Sequence, residues 1–288
     1  MIRNIQPFLC IIASCVLFIS ACAQNGVQKH YTVPKTGNIT VIPYHVNLYW
    51  IDYLRTNQPN AACADWLRWY MANLNYPDQY GLTGTIYDYS LDYQGVWKHQ
   101  EHYDSADSYA ASFLMLLRDF FLKGGKLELT QKDLSRIEDI GWVILVMQNP
   151  DGTIKARPDS DICYLMNNSE ALAGLYAFLD LTEILELGKR QQFLTASLNL
   201  SKAMNTRWRD GKQFYWALNS TESWSSDRGK MYPDRMAQLY PIAFGLLPQQ
   251  PITRQLLWEQ FSLPDNELDN KLSAEQRLVY NWAKEAVK

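Results

Sequence analysis

Three acids stand at matching places in this sequence. Asp107-Ser108-Tyr109-Ala110, Glu170-Ala171-Leu172-Ala173 and Asp234-Arg235-Met236-Ala237 begin 63 and then 64 residues apart. Each acid leads into a run that is apolar on all sides, at residues 110–117, 171–179 and 237–244, and such runs predict helices buried all round. If the three helix starts face one point, their carboxyls meet there. Glycosidic hydrolysis needs that arrangement: one carboxylic acid protonates the leaving oxygen while a carboxylate activates water or attacks carbon. Carboxyl separations of about 6.5–9.5 Å go with inversion and about 5–5.5 Å with retention.

The same acids also have a purely structural reading. Asp104 to Asp107 and Asn167 to Glu170 have the spacing of a helix N-cap and its N3 partner, and Pro233-Asp234 resembles proline at N1 with an acid behind it. Such contacts contribute on the order of 1 kcal/mol each. Asp104 is then the cap, and Asp107 is the acid left for chemistry. The positive end of a helix dipole lowers a carboxyl pKa, so Asp107 or Asp234 suits the base. Glu170 is the first choice for proton donor, with Glu101 and Glu222 in reserve. Trp97, Tyr103, Tyr109, Trp216, Trp224 and Tyr232 lie in or beside the loops before these helices, where flat rings can stack on sugars, and Glu101, His102 and Glu222 can take hydroxyls. Trp66, Trp69 and Trp142 fit packing instead. A lyase would need a base such as Tyr109 or His102.

Positioning the acids falls to the segments between them. Cys63, Trp66, Leu67, Tyr70 and Leu74 share one helical face, as do Leu134, Ile137, Gly141, Ile144 and Met147, which predicts amphipathic helices alternating with the buried ones. Residues 84–87, 152–155 and 211–216 each place a glycine turn before a β-prone run. Residues 43–54 form a fainter fourth unit about one period before Asp107, without an acid at the matching place. The repeating unit is turn, short strands, buried helix, amphipathic helix, and its length exceeds the helical solenoid repeats of about 34–47 residues. Two concentric layers of helices follow, an inner and an outer ring.

With its helix starts "DSADSYA", "NNSEALAGL" and "YPDRMAQLYPI" and its turn "DGTIKAR", the chain resembles the six-hairpin (α/α toroid) glycosidase superfamily over residues 41–244. That resemblance implies an all-α toroid with short β-hairpin loops and a pit at the inner-helix N-termini. There a polysaccharide or oligosaccharide would bind and carboxylates would act as acid and base, most often with inversion. About nine helices are legible where a full ring has twelve, which implies an open or shortened ring and leaves room for a protein partner or a second copy. The alternative within the same architecture is a glycan-binding lipoprotein of a polysaccharide assembly or export system that uses the pit without turnover.

Other chemistries find little support. His99-Gln100-Glu101-His102 lacks a zinc-protease spacing, and there is no P-loop, dinucleotide fingerprint or G-x-S-x-G, so neither metal nor cofactor is expected. The N-terminus reads as a signal: Arg3, an apolar stretch over residues 8–19, then Ile19-Ser20-Ala21-Cys22, which resembles a bacterial lipobox. Residues 1–21 are the expected signal peptide, Cys22 the lipidated residue, 22–40 a tether and 41–288 the domain. Ala23 points to the outer rather than the inner membrane. Removing Arg3 takes the formal charge from −3 to −4, which gives no reason to expect nucleic acid as a partner. Of the five cysteines, Cys63 and Cys163 lie beyond residue 22, and separate thiols are expected.

Overall fold

The computed structural model describes residues 39–92, 96–247, 253–264 and 267–288, so the expected signal peptide and Cys22 lie outside the described residues. Helices carry most of the fold, with small antiparallel sheets beside them. In chain order the helices are α1 (Pro43–Thr56), α2 (Ala61–Ala72), α3 (Ala106–Leu122), α4 (Gln131–Val146), α5 (Leu165–Ile184), α6 (Arg190–Thr206), α7 (Met236–Ala243), α8 (Arg254–Phe261), α9 (Leu268–Lys271) and α10 (Ala274–Ala286). Among the described residues no helix is long and apolar enough to cross a membrane.

Two kinds of helix alternate, as the hydrophobic pattern requires. Every residue of α3 from Ala106 to Leu117 is buried, and α5 is buried over most of its length. By contrast α2 buries Cys63, Trp66, Leu67 and Tyr70 while exposing Arg68, and α4 buries Ile137, Ile140, Gly141 and Ile144 while exposing Lys132 and Ser135. The buried helices pack in sequence. α1 lies on α3, α3 on α5, α5 on α7 and α7 on α10, and α10 returns to α1. α4 packs against α3 and α5, α6 against α5, and α8 against α7 and α10.

α3 and α5 approach each other closely at one point. A Cβ placed on Gly174 would sit 2.6 Å from both Cα and Cβ of Ala111, so only glycine permits this approach. Ala111 and Gly174 are 63 residues apart, the same separation as Asp107 and Glu170. The contact therefore sets the two acids at the same height on neighbouring helices, one turn closer to the N-terminal end.

The turns repeat as well, although they make fewer strands than the sequence predicts. Residues 84–87 form no strand, Ile154 makes a single bridge to Gln148, and only the third turn leads into a full strand. In the first two, one set of bonds recurs. Asn75 N–H donates to Thr85 O (2.8 Å) and Asn149 N–H to Thr153 O (2.7 Å), while the two asparagine side chains donate to the threonine hydroxyls at 3.0 Å. Turn and tertiary bonds have taken the place of ladders. The first sheet joins β1 (Ile39–Val41), β2 (Tyr89–Leu91) and β3 (Trp97–His99) in that order. Ile39 and Thr40 pair with Leu91 and Ser90, so β1 starts inside the segment expected to be tether. In the second sheet β6 (Gln213–Leu218) pairs with β4 (Cys163–Tyr164), β5 (Arg209–Asp210) and β7 (Ser223–Ser225), all antiparallel.

The helix starts differ from those the spacing predicts. Ser105, not Asp104, is the N-cap residue of α3, and Asp104 is exposed outside the helix. α5 begins at Leu165, which puts Asn167 inside the first turn and Glu170 in the second. Asn168 explains the earlier start: its side chain accepts from Ile154 N–H (2.8 Å) and donates to Ile154 O and Tyr164 O, which ties α5 to the preceding turn. Pro233 and Asp234 sit in a short π-helical turn, Met231–Arg235, ahead of α7.

Gly174→Ala is expected to destabilise the fold by about 1–3 kcal/mol, the usual cost of overpacking a close contact. Gly188→Ala, whose new methyl would meet nothing nearer than 3.7 Å, should be close to neutral. Denaturant midpoints of the two variants, measured side by side, check this; equal midpoints would mean that α3 and α5 do not depend on the glycine.

Candidate functional site

The N-terminal ends of α1, α3 and α5 meet at one end of the molecule, and α7 and α10 bring side chains to it. Asp107, in the first turn of α3, is fully buried at 0% exposure. Its Oδ1 accepts from Ser108 N–H (2.8 Å) and from Asn167 Nδ2 (3.1 Å), while Oδ2 has no hydrogen-bond partner among the described residues. Glu170, 2% exposed, accepts at Oε1 from the Tyr44 hydroxyl of α1 at 2.5 Å. Tyr44 Oη lies 3.5 Å from Tyr240 Oη of α7. Its ring stacks on Tyr109 of α3, with centroids 6.0 Å apart. From α10, Glu275 comes within 3.9 Å of His45, the residue after Tyr44.

Burial sets the charge state of this cluster. It pushes Asp107 from 3.8 up to about 7, against the opposing pull of the Asn167 amide and the Ser108 N–H. Glu170 rises from 4.5 to about 8: burial is the largest cause, the negative charge of Asp107 adds to it, and the Ser108 and Tyr44 hydroxyls work the other way. Tyr44 itself stands well above its usual value of 10, through burial first and the Glu170 charge second, so it remains a donor. The expectation that the α3 dipole would depress Asp107 is thereby corrected. Loss of water at a fully buried carboxyl outweighs a dipole effect on the order of 1 kcal/mol.

A cleft of about 330 Å³ opens beside the pair. Asp104, Ser105, Tyr164, Asn167, Trp216 and Tyr232 line it, with Arg157 and Pro233 at its walls. Trp216 stacks on Tyr164 with centroids 6.2 Å apart and leans on Trp224, also at 6.2 Å. Tyr232 is 60% exposed and offers its ring to a ligand. Asn167 joins the two features, since it lines the cleft and donates to Asp107.

The remaining residues singled out from the sequence are spread more widely. Asp234 accepts from the Asp227 N–H at 2.8 Å, so it fastens the loop before α7 and is not hydrogen-bonded to Asp107 or Glu170. Tyr103 is buried and donates to Asp78 (2.8 Å), and Tyr109 is buried and donates to Asp88 (2.7 Å), so both rings pack inside the protein. Exposed His102 approaches Asp88 at 3.8 Å. Trp97 packs on Trp69 and Tyr89 at the first sheet, Glu101 is exposed with a φ of 56°, and Glu222 is exposed on the turn after β6. Trp66 and Trp69 stack in the core, at 4.9 Å, and Trp142 packs edge-on to Phe193.

Sequence reasoning missed Tyr44, Ser108, Tyr164, Asn167 and Tyr240. For Tyr44 a signal existed: it lies 63 residues before Asp107, so it holds the acid's place in the faint first unit. Cys63 and Cys163 are separate buried thiols, and among the described residues no group of three or more metal-ligating side chains comes together. No protein-family model matches the chain, and no curated protein matches it in sequence.

Both carboxyls titrate higher in the folded chain than in an unfolded one. From roughly pH 4 to the folded values near 7 and 8, the folded state holds protons that the unfolded state has released, so stability falls as pH rises through that window. Replacing both groups, by Asp107→Asn with Glu170→Gln, should flatten the dependence of denaturant stability on pH there. An unchanged slope would show that neither group titrates in the window. Tyr44→Phe should move the Glu170 titration further upward, because it removes a bond to the charged form.

Proposed function

We propose that the protein is a lipid-anchored envelope protein that binds a polysaccharide in the aromatic cleft and hydrolyses a glycosidic bond with the carboxyl pair at its inner end. The observation that carries this reading is a pair of buried carboxyls, Asp107 and Glu170, whose proton affinity burial raises, joined through Asn167 to a cleft walled by Trp216, Tyr164 and Tyr232. In this reading Glu170, which takes a hydrogen bond from Tyr44, is the proton donor, and Asp107, whose Oδ2 has no hydrogen-bond partner among the described residues, is the carboxylate that activates water. Asp234 serves by fastening the loop that carries Tyr232. The scaffold in this reading is a shortened α/α toroid. Its inner layer is the cycle α1, α3, α5, α7 and α10, and its support is the return of α10 onto α1.

One observation favours a second reading. Asp107 and Glu170 are 0% and 2% exposed, and Asn167 stands between Asp107 and the cleft, as a site that binds glycan without cleaving it would have. Turnover requires Asn167 to swing aside on binding.

Incubation with a panel of envelope and plant glycans separates the two. Hydrolysis yields new reducing ends that Glu170→Gln reduces by about 10²–10⁴-fold, while Trp216→Ala weakens binding. Binding without product supports the second reading, and unsaturated product would assign the site to a lyase. The absence of both binding and product would end the glycan proposal. Cys22→Ala is expected to abolish incorporation of labelled palmitate; label retained in that variant would place the lipid elsewhere.

A further inference from the structure

Beside the aromatic cleft lies a second, larger cavity of about 600 Å³ to which no role has yet been given. The two share a wall. Arg157 lines the cleft, Pro158 and Asp159 line the second cavity, and Ser160 lines both. The second sheet underlies them in the same order: Tyr164 and Trp216 face the cleft, while Cys163, one residue before Tyr164, and Asn219, just past the end of β6, face the second cavity. With about 3.3 Å per strand residue, Trp216 and Asn219 are on the order of 10 Å apart, so the cavities adjoin along the sheet.

Their chemistry differs. Among the described residues no aromatic ring lines the second cavity; Thr153, Ser160, Asn219 and Ser220 present hydroxyls and amides there beside Pro150, Pro158 and Cys163, and its size falls in the usual range for ligand sites. Such a lining suits a ligand that offers both hydroxyls and C–H faces. Among the residues lining the two cavities the acids are Asp104, Asp151, Asp159 and Asp161, and the cations are Lys155 and Arg157. Arg157 is paired with Asp159 at 3.0 Å, and Asp151 is paired at 3.5 Å with Arg207 from outside the lining. The acids remain one in excess over these three cations, so a ligand bearing carboxylates or sulfates is disfavoured relative to an uncharged or amino-bearing one.

We propose that the second cavity is a further sugar-binding site, seating uncharged or amino-bearing units of the same chain whose neighbouring units lie in the aromatic cleft. This rests on the glycan reading of the cleft. It predicts a preference for longer chains and a rejection of acidic ones, which the cleft alone would not impose.

The test is calorimetric binding of the full-length protein in detergent to three oligomer series, from dimer to hexamer: cello-oligosaccharides, glucosamine oligosaccharides and oligogalacturonates. Affinity for at least one of the first two series should rise about tenfold or more with length, equivalent to roughly 1.4 kcal/mol, and the oligogalacturonates should bind least. Ser220→Leu and Asp161→Leu, both at exposed positions, should each remove the gain with length while leaving dimer binding unchanged. Dimer and hexamer binding equally, a length gain that survives both substitutions, or oligogalacturonates binding best would overturn the second site while leaving the cleft reading standing. Failure of every oligomer in all three series would overturn both.

Discussion

The approach of α3 to α5 at Ala111 and Gly174 governs much of this structure. Two buried helices can come this close only where one side chain is a methyl and the other is absent, and the contact lies one turn beyond Asp107 and Glu170. Closeness at that level brings the carboxyls within electrostatic reach of each other and shuts water out from between them. The raised proton affinities follow from packing. Without the glycine, the same acids on the same helices would stand further apart and wetter, with pKa values nearer those of ordinary carboxyls.

Holding two carboxyls in such a place costs stability, and the surrounding elements offset that cost locally. Asn167 from α5 donates to Asp107, Tyr44 from α1 donates to Glu170, and Ser108 supplies its N–H to Asp107. The donors are all neutral, so they steady the charged forms without forcing ionisation. A lysine or arginine in any of these places would have driven the acids to carboxylates at every working pH. The site retains protons because the fold places hydroxyls and amides there.

The repeat explains why these elements converge. Tyr44, Asp107 and Glu170 stand at intervals of 63 residues and end up at one end of the molecule, bonded or electrostatically coupled in a chain from α1 through α5 to α3. Asp234 follows at 64 and loses the contact. Its helix is entered through the π-helical turn Met231–Arg235, and the carboxyl turns to the Asp227 N–H in place of the centre. Equivalent sequence positions share a spatial environment only as long as the backbone leading to them is equivalent.

By itself the sequence determined the kinds of helix, their alternation and two of the central acids, because all-round against one-sided hydrophobicity is a local property that burial must satisfy. Tertiary structure decided the rest. The caps expected at Asp104 and Asn167 gave way to Ser105 and to the Asn168 clamp on Ile154: the backbone of a distant turn holds Asn168, and Asn167 donates to Asp107 from inside the helix. Tyr103 and Tyr109 went into the core through bonds to Asp78 and Asp88, partners that no spacing rule reveals. Above all, the direction of the Asp107 shift depended on how much water remained around it. Helix position, which is legible in sequence, argued for a lowered value, and burial, which is a sum over many remote neighbours, raised it to about 7.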